Sequence, residues 1–399
     1  MATIVFASDS HLNKHYARMT PDQLAERRQR LRAGLAQTID YALAERADVY
    51  IHGGDLFDGP NPRAVELMWT AGQLKRLADA GIRTLLIGGN HDIPKTREAG
   101  ATPQRLFDVV RLAHVFTRDT AVDWWLADLD GLRVAIGGLP PDPRLPAEAD
   151  PLAALAEPIA PPEADARILV THYAVQGRLH PLAEEPTIGL ESIAALAGAV
   201  DCLLVGHVHD ALDAEVAGVK VVFPGPTERL SFGELDVRCG FVRLDLARAP
   251  EGIRLGVQHI PIDPQPMRRE VVRAGDLPPD DPTGWLVARV RAVSAPDQIL
   301  QLRLDGPLPR AVYQALRVRE AFEVGSDLNF YFDLDRRGLT VEVEPGEARG
   351  GGERVSARAE LALVADQLRA AAEAPEERAL LEEARALVLA RYGSAGMAD

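Results

Sequence analysis

What this 399-residue chain has little of narrows the possibilities before any motif is read. It has two cysteines, Cys202 and Cys239, each inside an apolar, strand-like run. That leaves no disulfide framework and no thiolate set for a metal, so both read as buried thiols in a reducing compartment. No apolar run reaches the roughly 18 to 20 residues that a membrane-spanning helix needs, and the opening Met1-Ala2-Thr3-Ile4-Val5-Phe6 has no basic leader segment. The expectation is a soluble, cytoplasmic protein without a membrane partner. Lysine is scarce: Lys14, Lys75, Lys95 and Lys220 are the whole complement, so nearly all of the 44 basic residues are arginines. A formal charge of −15 excludes a protein that coats nucleic acid with its whole surface, though not one with a local basic groove. Arginine clusters occur at Arg27, Arg28, Arg30 and Arg32, at Arg268 and Arg269, at Arg289 and Arg291, and at Arg310, Arg317 and Arg319. Solvated helix or strand faces are the plainer reading of each, although arginine suits bidentate phosphate contacts.

What is present is a core-forming composition, 47% hydrophobic, in a length that suggests two or three domains. The chain is organised around Gly88-Gly89-Asn90-His91-Asp92, which follows the apolar run Thr84-Leu85-Leu86-Ile87 and reads as a strand ending abruptly in a polar loop. The same design recurs. Residues 3–8 end at Ser8-Asp9-Ser10-His11, and Val49-Tyr50-Ile51 ends at Gly53-Gly54-Asp55-Leu56-Phe57-Asp58. Between them, residues 20–46 carry Leu31, Leu35, Ile39 and Leu43 at helical spacing behind a Thr20-Pro21 start, and a second helix is expected over 62–80. Strand, helix, strand, helix, strand, with every polar cluster at the same end of its strand, is an α/β pattern. Ligands bind at that edge of such sheets.

Residues 102–162 are harder to read, with a helix expected over 106–112, a strand over 133–138 and a Pro/Ala-rich surface excursion over 140–162. Then Ile168-Leu169-Val170 leads into Thr171-His172, and the run over 200–205 leads into Gly206-His207-Val208-His209. Alternating runs at 241–246 and 253–260 suggest antiparallel strands. Residues 262–266 read as a linker to a small α+β domain over 266–345, with strands at 285–290, 299–304 and 339–343 and a helix over 310–320. The segment 346–352, containing Gly350, Gly351 and Gly352, reads as a flexible joint. Residues 353–399 read as a helical hairpin.

Collected, the strand-end residues are Asp9, His11, Asp55, Asn90, His91, His172, His207 and His209. Carboxylates and imidazoles without cysteine suit Mn²⁺, Fe²⁺ or Zn²⁺. The donors are too many for one ion that keeps an open position and suit two sharing a bridge, for which the carboxylate Asp55 is the natural candidate. Such a pair acidifies a shared water and neutralises charge on attacking and leaving oxygens, services that phosphoester hydrolysis needs most.

The set resembles the calcineurin-like metallophosphoesterase superfamily, whose Asp-x-His, Gly-Asp-x-x-Asp, Gly-Asn-His-Asp, lone histidine and Gly-His-x-His motifs occur here in order. The resemblance implies a two-sheet α/β sandwich over residues 1–265. It implies that Asp9, His11 and His209 join Asp55 at one metal and that Asn90, His172 and His207 join it at the other. His91 would contact the phosphate and protonate the leaving group, oriented by Asp58; Asp92 is either an alternative partner or a cap of the following turn. Asp58 is followed by Gly59-Pro60, not the Arg-Gly of protein phosphatases. The Gly54–Asp58 stretch and the loop from Pro224 to Glu234 instead resemble SbcD-type DNA repair exonucleases, although Pro226 stands where those enzymes usually have serine. That branch implies Mn²⁺-dependent 3′-to-5′ exonuclease action on duplex ends and endonuclease action on single strands. It also implies a DNA-contacting cap at 266–345, a coiled-coil ABC-type, SbcC-like ATPase partner for the terminal helices, and a homodimer to which Met68 and Trp69 contribute; the alternatives are a hairpin packed on its own domain and a core role for those two side chains. A small-molecule or cyclic-nucleotide phosphodiesterase, and a mainly structural DNA-end scaffold for the ATPase, are the alternatives.

Overall fold

Six consecutive buried residues form strand β1 (Ala2–Ala7), and the absence of in-and-out alternation marks a strand covered on both faces. The structure is a computed structural model that describes residues 1–95, 101–117, 122–177, 184–250, 252–342, 381–382 and 384–386. The chain divides into two compact units, Met1–Thr340 and Val341–Asp399. The expected Gly-rich joint and helical hairpin lie outside the described residues, apart from two short helical pieces at 381–382 and 384–386.

In the first unit, α1 (Pro21–Ala44) carries the chain from β1 to its parallel neighbour β2 (Val49–His52). The helix starts in a capping box: Thr20 Oγ1 accepts the Gln23 N–H, and Gln23 Oε1 accepts the Thr20 N–H. The alternation continues through α2 (Ala64–Asp79), β3 (Arg83–Leu86), α3 (Arg105–Val109) and β4 (His114–Val115). A second sheet holds β5 (Asp123–Leu129), β6 (Leu132–Leu139), β7 (Ala166–His172), β10 (Cys202–Gly206), β11 (Leu212–Val216) and β12 (Val219–Phe223), in the order β11-β12-β10-β7-β6-β5. Two-residue strands β8 (Ala174–Val175) and β9 (Thr187–Ile188) pair beside it, and α4 (Leu190–Ala194) follows. The hairpin β13 (Gly240–Ala249) and β14 (Gly252–Pro261) then returns to complete the first sheet, order β14-β13-β1-β2-β3-β4.

The two sheets pack face to face. Ile4, Phe6, Ile51 and Leu85 of one interlock with Ile136, Ile168, Val170 and Leu204 of the other, while the opposite face of the first sheet, with Val5 and Ala7, buries Leu31, Leu35 and Ile39 of α1. The expected two-sheet α/β sandwich is therefore the observed one. Both cysteines are free and buried, and no described helix is long and apolar enough to cross a membrane.

Residues 267–342 build a three-stranded sheet from β15 (Met267–Arg273), β16 (Ile299–Pro309) and β17 (Tyr331–Glu342), order β15-β16-β17, with α5 (Pro282–Val293), α6 (Arg310–Ala315) and α7 (Val318–Leu328). The stretch 285–290, read as a strand, is helical. Asp281 caps α5 by accepting the Gly284 N–H, Pro282 sits in its first turn, and Leu286, Val290 and Val293 face inward at helical spacing. The single helix expected over 310–320 is two, parted at Leu316-Arg317. Strand β5 has no counterpart in the sequence reading.

A buried ion pair ties α1 and the 224–234 loop to the linker that leads into this small sheet. Arg27 of α1, fully buried, reaches Glu228 Oε2 at 3.2 Å and Gln265 Oε1 at 2.9 Å, and donates to the Arg229 carbonyl. Glu228 Oε2 also accepts the Gln265 N–H at 3.1 Å. Arg27 is thus a structural bolt, not part of a basic face. Removing one partner of such a pair strands a buried charge and costs about 3–5 kcal/mol, so Arg27→Ala should lower the thermal unfolding midpoint sharply. An unchanged midpoint would show that the bolt carries no stability.

Candidate metal centre

Because β1, β2, β3, β7 and β10 run parallel within their sheets, their C-terminal ends open onto one edge, where the two sheets bring their loops together. The β1 and β2 loops continue side by side. Asp9 N–H donates to Gly54 O at 3.0 Å, His11 N–H to Asp55 O at 2.9 Å and Leu12 N–H to Leu56 O at 2.9 Å. Of nine described non-glycine residues with positive φ, four belong to the expected site: Asp9 at 55°, His11 at 42°, Asp55 at 50° and His207 at 79°. Each such residue costs of order 1–3 kcal/mol, and such strain gathers at functional sites. Gly54, at φ 103°, is required as glycine because a Cβ there would lie 2.3 Å from His172 Nδ1.

All seven expected ligands converge. Asp9 Oδ1 lies 3.4 Å from His209 Nε2, and Asp9, His11 and His209 present donor atoms within 4.8 Å of one another. On the other side, Asn90 Oδ1 is 3.1 Å from His172 Nε2 and 3.0 Å from His207 Nδ1. Between the two groups stands Asp55 Oδ2, 3.5 Å from His11 Nε2 and 3.3 Å from His172 Nε2. Cis ligands on an ion bound at about 2.1 Å lie about 3 Å apart, so these separations suit ligation. His11 Nε2 is buried without a hydrogen-bond partner, which an inward-facing cation would satisfy.

The carboxyls and imidazoles stabilise one another's charged forms. Burial alone would raise the carboxyls, yet His209 and His172 hold Asp9, and His172 and His11 hold Asp55, well below the ordinary carboxylate range. Burial opposes charge on the imidazoles too, but Asp55 and Asp9 raise His172 to about 9, and Asp9 and Glu234 raise His209 to about 10.

His91 stands at the mouth. Its side chain is 42% exposed, its ring meets His11 edge-on with centroids 4.8 Å apart, and its backbone N–H donates to Asp55 Oδ1 at 2.9 Å. Burial holds its imidazole below the usual value. Asp58 Oδ1 is 3.8 Å from His91 Nδ1, beyond hydrogen-bond reach. It bonds instead to His11 Nδ1 at 3.1 Å and Lys14 Nζ at 2.8 Å. Asp92 does more than cap its own turn: one oxygen accepts N–H groups of Leu56 and Gly89 and the other that of Phe57, tying the β2 and β3 loops together.

Three side chains escaped the sequence reading. Lys14 bonds Asp58, Glu185 Oε2 lies 2.9 Å from His207 Nε2, and Glu234 Oε1 lies 3.0 Å from His209 Nδ1. Lys14 sits close to the first motif and Glu234 belongs to the 224–234 loop, whereas Glu185 is near no motif. His52 lies beneath the site, its Nε2 2.9 Å from Ser10 Oγ, and burial lowers it to about 4. His114 and His259 lie elsewhere, near Asp123 and Asp213, and His180 is outside the described residues. A cavity of about 370 Å³ adjoins Asn90, His172 and His207, lined also by Ile93, Tyr173 and Pro186.

Residues 2–211 match the calcineurin-like phosphoesterase family. Among individual proteins, the DNA double-strand break repair protein Mre11 of Haloferax volcanii is 32% identical over 238 residues, 60% of this chain and 48% of that protein. The protein of the same name from Saccharolobus solfataricus is 39% identical over 97 residues, 24% of each chain. That from Halobacterium salinarum is 26% identical over 309 residues, 77% of this chain and 71% of the other. The chain thus spans about half the length of the Haloferax relative.

The loop tie at Asp92 is testable without any substrate. Asp92→Ala leaves three buried backbone N–H groups unpaired, at about 1–3 kcal/mol for each group left unsatisfied. Denaturant unfolding should therefore show a loss of about 3 kcal/mol or more, with Asp92→Asn, which keeps one acceptor oxygen, falling between.

Proposed function

The chain belongs to the calcineurin-like phosphoesterase family, and from that premise we propose that it is a DNA nuclease dependent on two divalent ions, with Mn²⁺ as its metal. The observation that carries the reading is the position of Asp55 Oδ2 between His11 Nε2 and His172 Nε2. Asp9, His11 and His209 would hold one ion and Asn90, His172 and His207 the other, with Asp55 shared. Ions held there would supply acidification of a water and neutralisation of charge on the scissile phosphate. His91 faces the opening, where it binds a phosphate oxygen and passes a proton to the leaving oxygen. Asp58, with Lys14, fixes the His11 ring from behind.

DNA as substrate is supported by the names of the relatives and by the small domain at 266–345, which a small ester does not require. The arginine clusters give less support. Arg30, Arg32, Arg268, Arg289, Arg317 and Arg319 each pair with a carboxylate. On this reading the strand end is gripped chiefly at the metal centre. The implied actions are 3′-to-5′ exonuclease on duplex ends and endonuclease on single strands, in the cytoplasm, as part of an end-processing complex. The segment 346–352 would be a linker and 353–399 the docking site for a coiled-coil ABC-type ATPase. A homodimer is supported by the exposed apolar side chains of Val65 and Met68 on α2 and Leu106 and Val109 on α3; Trp69 instead packs against the core under Arg32. The cavity beside His207 also suits one nucleoside-sized group, which keeps a small phosphodiesterase as the second reading.

The test is hydrolysis of end-labelled duplex DNA, bis-p-nitrophenyl phosphate and cyclic AMP, with Mn²⁺ or with chelator. Duplex shortening only with Mn²⁺ is expected, and His91→Ala should bind the metal normally yet lose about 10²–10⁴-fold in rate. Turnover of the small esters alone would replace the nuclease reading with the second one.

A further inference from the structure

Each histidine of the metal centre has two ring nitrogens, and which one faces inward is decided by what holds the other. His172 turns Nε2 toward Asn90 and Asp55 because its Nδ1 lies 2.7 Å from the Gly53 carbonyl. His209 turns Nε2 toward Asp9 Oδ1 at 3.4 Å, and its Nδ1 lies 3.0 Å from Glu234 Oε1. His207 is reversed: Nδ1 is the inward atom, 3.0 Å from Asn90 Oδ1, and Nε2 lies 2.9 Å from Glu185 Oε2.

We infer that Glu234 and Glu185 are positioning residues that set opposite tautomers on the two histidines of the Gly206–His209 motif, Nδ1–H on His209 and Nε2–H on His207. A carboxylate accepts and cannot donate, so the nitrogen it faces must carry the proton and the inward nitrogen keeps its lone pair for a cation. The two histidines are separated by one residue, and reversing the outward nitrogen lets them face two different ions. The inference rests on the two-ion reading above.

Glu234 is itself fixed. Its Oε2 accepts the Leu230 N–H, and it ends a short turn, Phe232–Glu234, in which Ser231 Oγ accepts the Gly233 N–H. Arg269 of β15 secures that turn by donating to the Phe232 carbonyl at 3.1 Å, with its guanidinium 5.9 Å from the centre of the Phe232 ring. The small sheet therefore holds the segment that holds His209. Glu185 is 33% exposed against 18% for Glu234, so solvent screens its contact more and its removal should matter less.

Mn²⁺ binding to the full chain, read from the loss of the free-ion electron paramagnetic resonance signal, tests this without turnover. Two ions are expected on the wild type. Glu234→Ala should weaken one of them about 10- to 100-fold and leave the other, Glu185→Ala should weaken the other less, and the Gln variants, which keep an acceptor oxygen, should recover most of the loss. Unchanged isotherms in both Ala variants, or Gln variants as weak as Ala, overturn the inference. A wild type that binds no Mn²⁺ overturns the two-ion reading and this inference with it. Should the Ala variants not fold, ¹⁵N-histidine spectra of the wild type loaded with Zn²⁺ decide: His209 protonated at Nδ1 and His207 at Nε2 support the assignment, and one tautomer on both sinks it.

Discussion

Two imidazoles from opposite sheets, His11 and His172, meet the same carboxylate oxygen, Asp55 Oδ2, at 3.5 and 3.3 Å, and much of the architecture serves that meeting. The oxygen is free to be shared because the other one, Oδ1, is occupied by the His91 N–H. The loop bearing Asp55 is laced to the β1 loop by backbone bonds and to the β3 loop through Asp92. Left-handed backbone at Asp9, His11, Asp55 and His207 is a standing cost, offset by a core in which both sheets bury their facing residues almost completely. A rigid sandwich is what allows four strained residues to persist at one edge.

Around the donors lies a layer of oxygens that fixes them. The Gly53 carbonyl, Asp58, Glu185 and Glu234 each address the outer nitrogen of one histidine. Two of these oxygens come from the β2 loop, which also supplies Asp55; the glutamates come from the later excursions of the chain. The small sheet takes part indirectly. Arg269 grips the turn before Glu234, and the Arg27, Glu228 and Gln265 cluster bolts the same loop to α1 and to the linker.

The parts of the fold that were legible in the sequence are those where local chemistry and tertiary need coincide. The Thr20-Pro21 start of α1, the apolar strands and the polar strand ends all announce themselves within a few residues. So did the residues that gather at this edge, because each motif closes a strand. Misreadings arose where pattern and packing part company. Trp285-Leu286-Val287 looks strand-like by its aromatic and β-branched residues, yet the Asp281 cap and the inward spacing of Leu286, Val290 and Val293 make it helical. The arginine clusters were read chiefly as solvated faces, whereas Arg30, Arg32, Arg268, Arg289, Arg317 and Arg319 pair with carboxylates that the fold or a near neighbour supplies. Asp58 was expected on His91; the structure gives its closest contacts to His11 and Lys14. Glu185 and Glu234 were out of reach because only the fold brings them behind their histidines.

The first strand has a further consequence for how the chain is made. β1 lies inside its sheet between β2 and β13, with Ala2 opposite Leu246 and Phe6 opposite Val242. During synthesis one edge of this strand, apolar except for Thr3, therefore stays without its hydrogen-bonding neighbour until about 240 further residues have emerged. A partner so distant in sequence makes closure slow, and an unpaired apolar edge invites association with other nascent chains. The window for misassembly is set by the length of chain that separates β1 from β13.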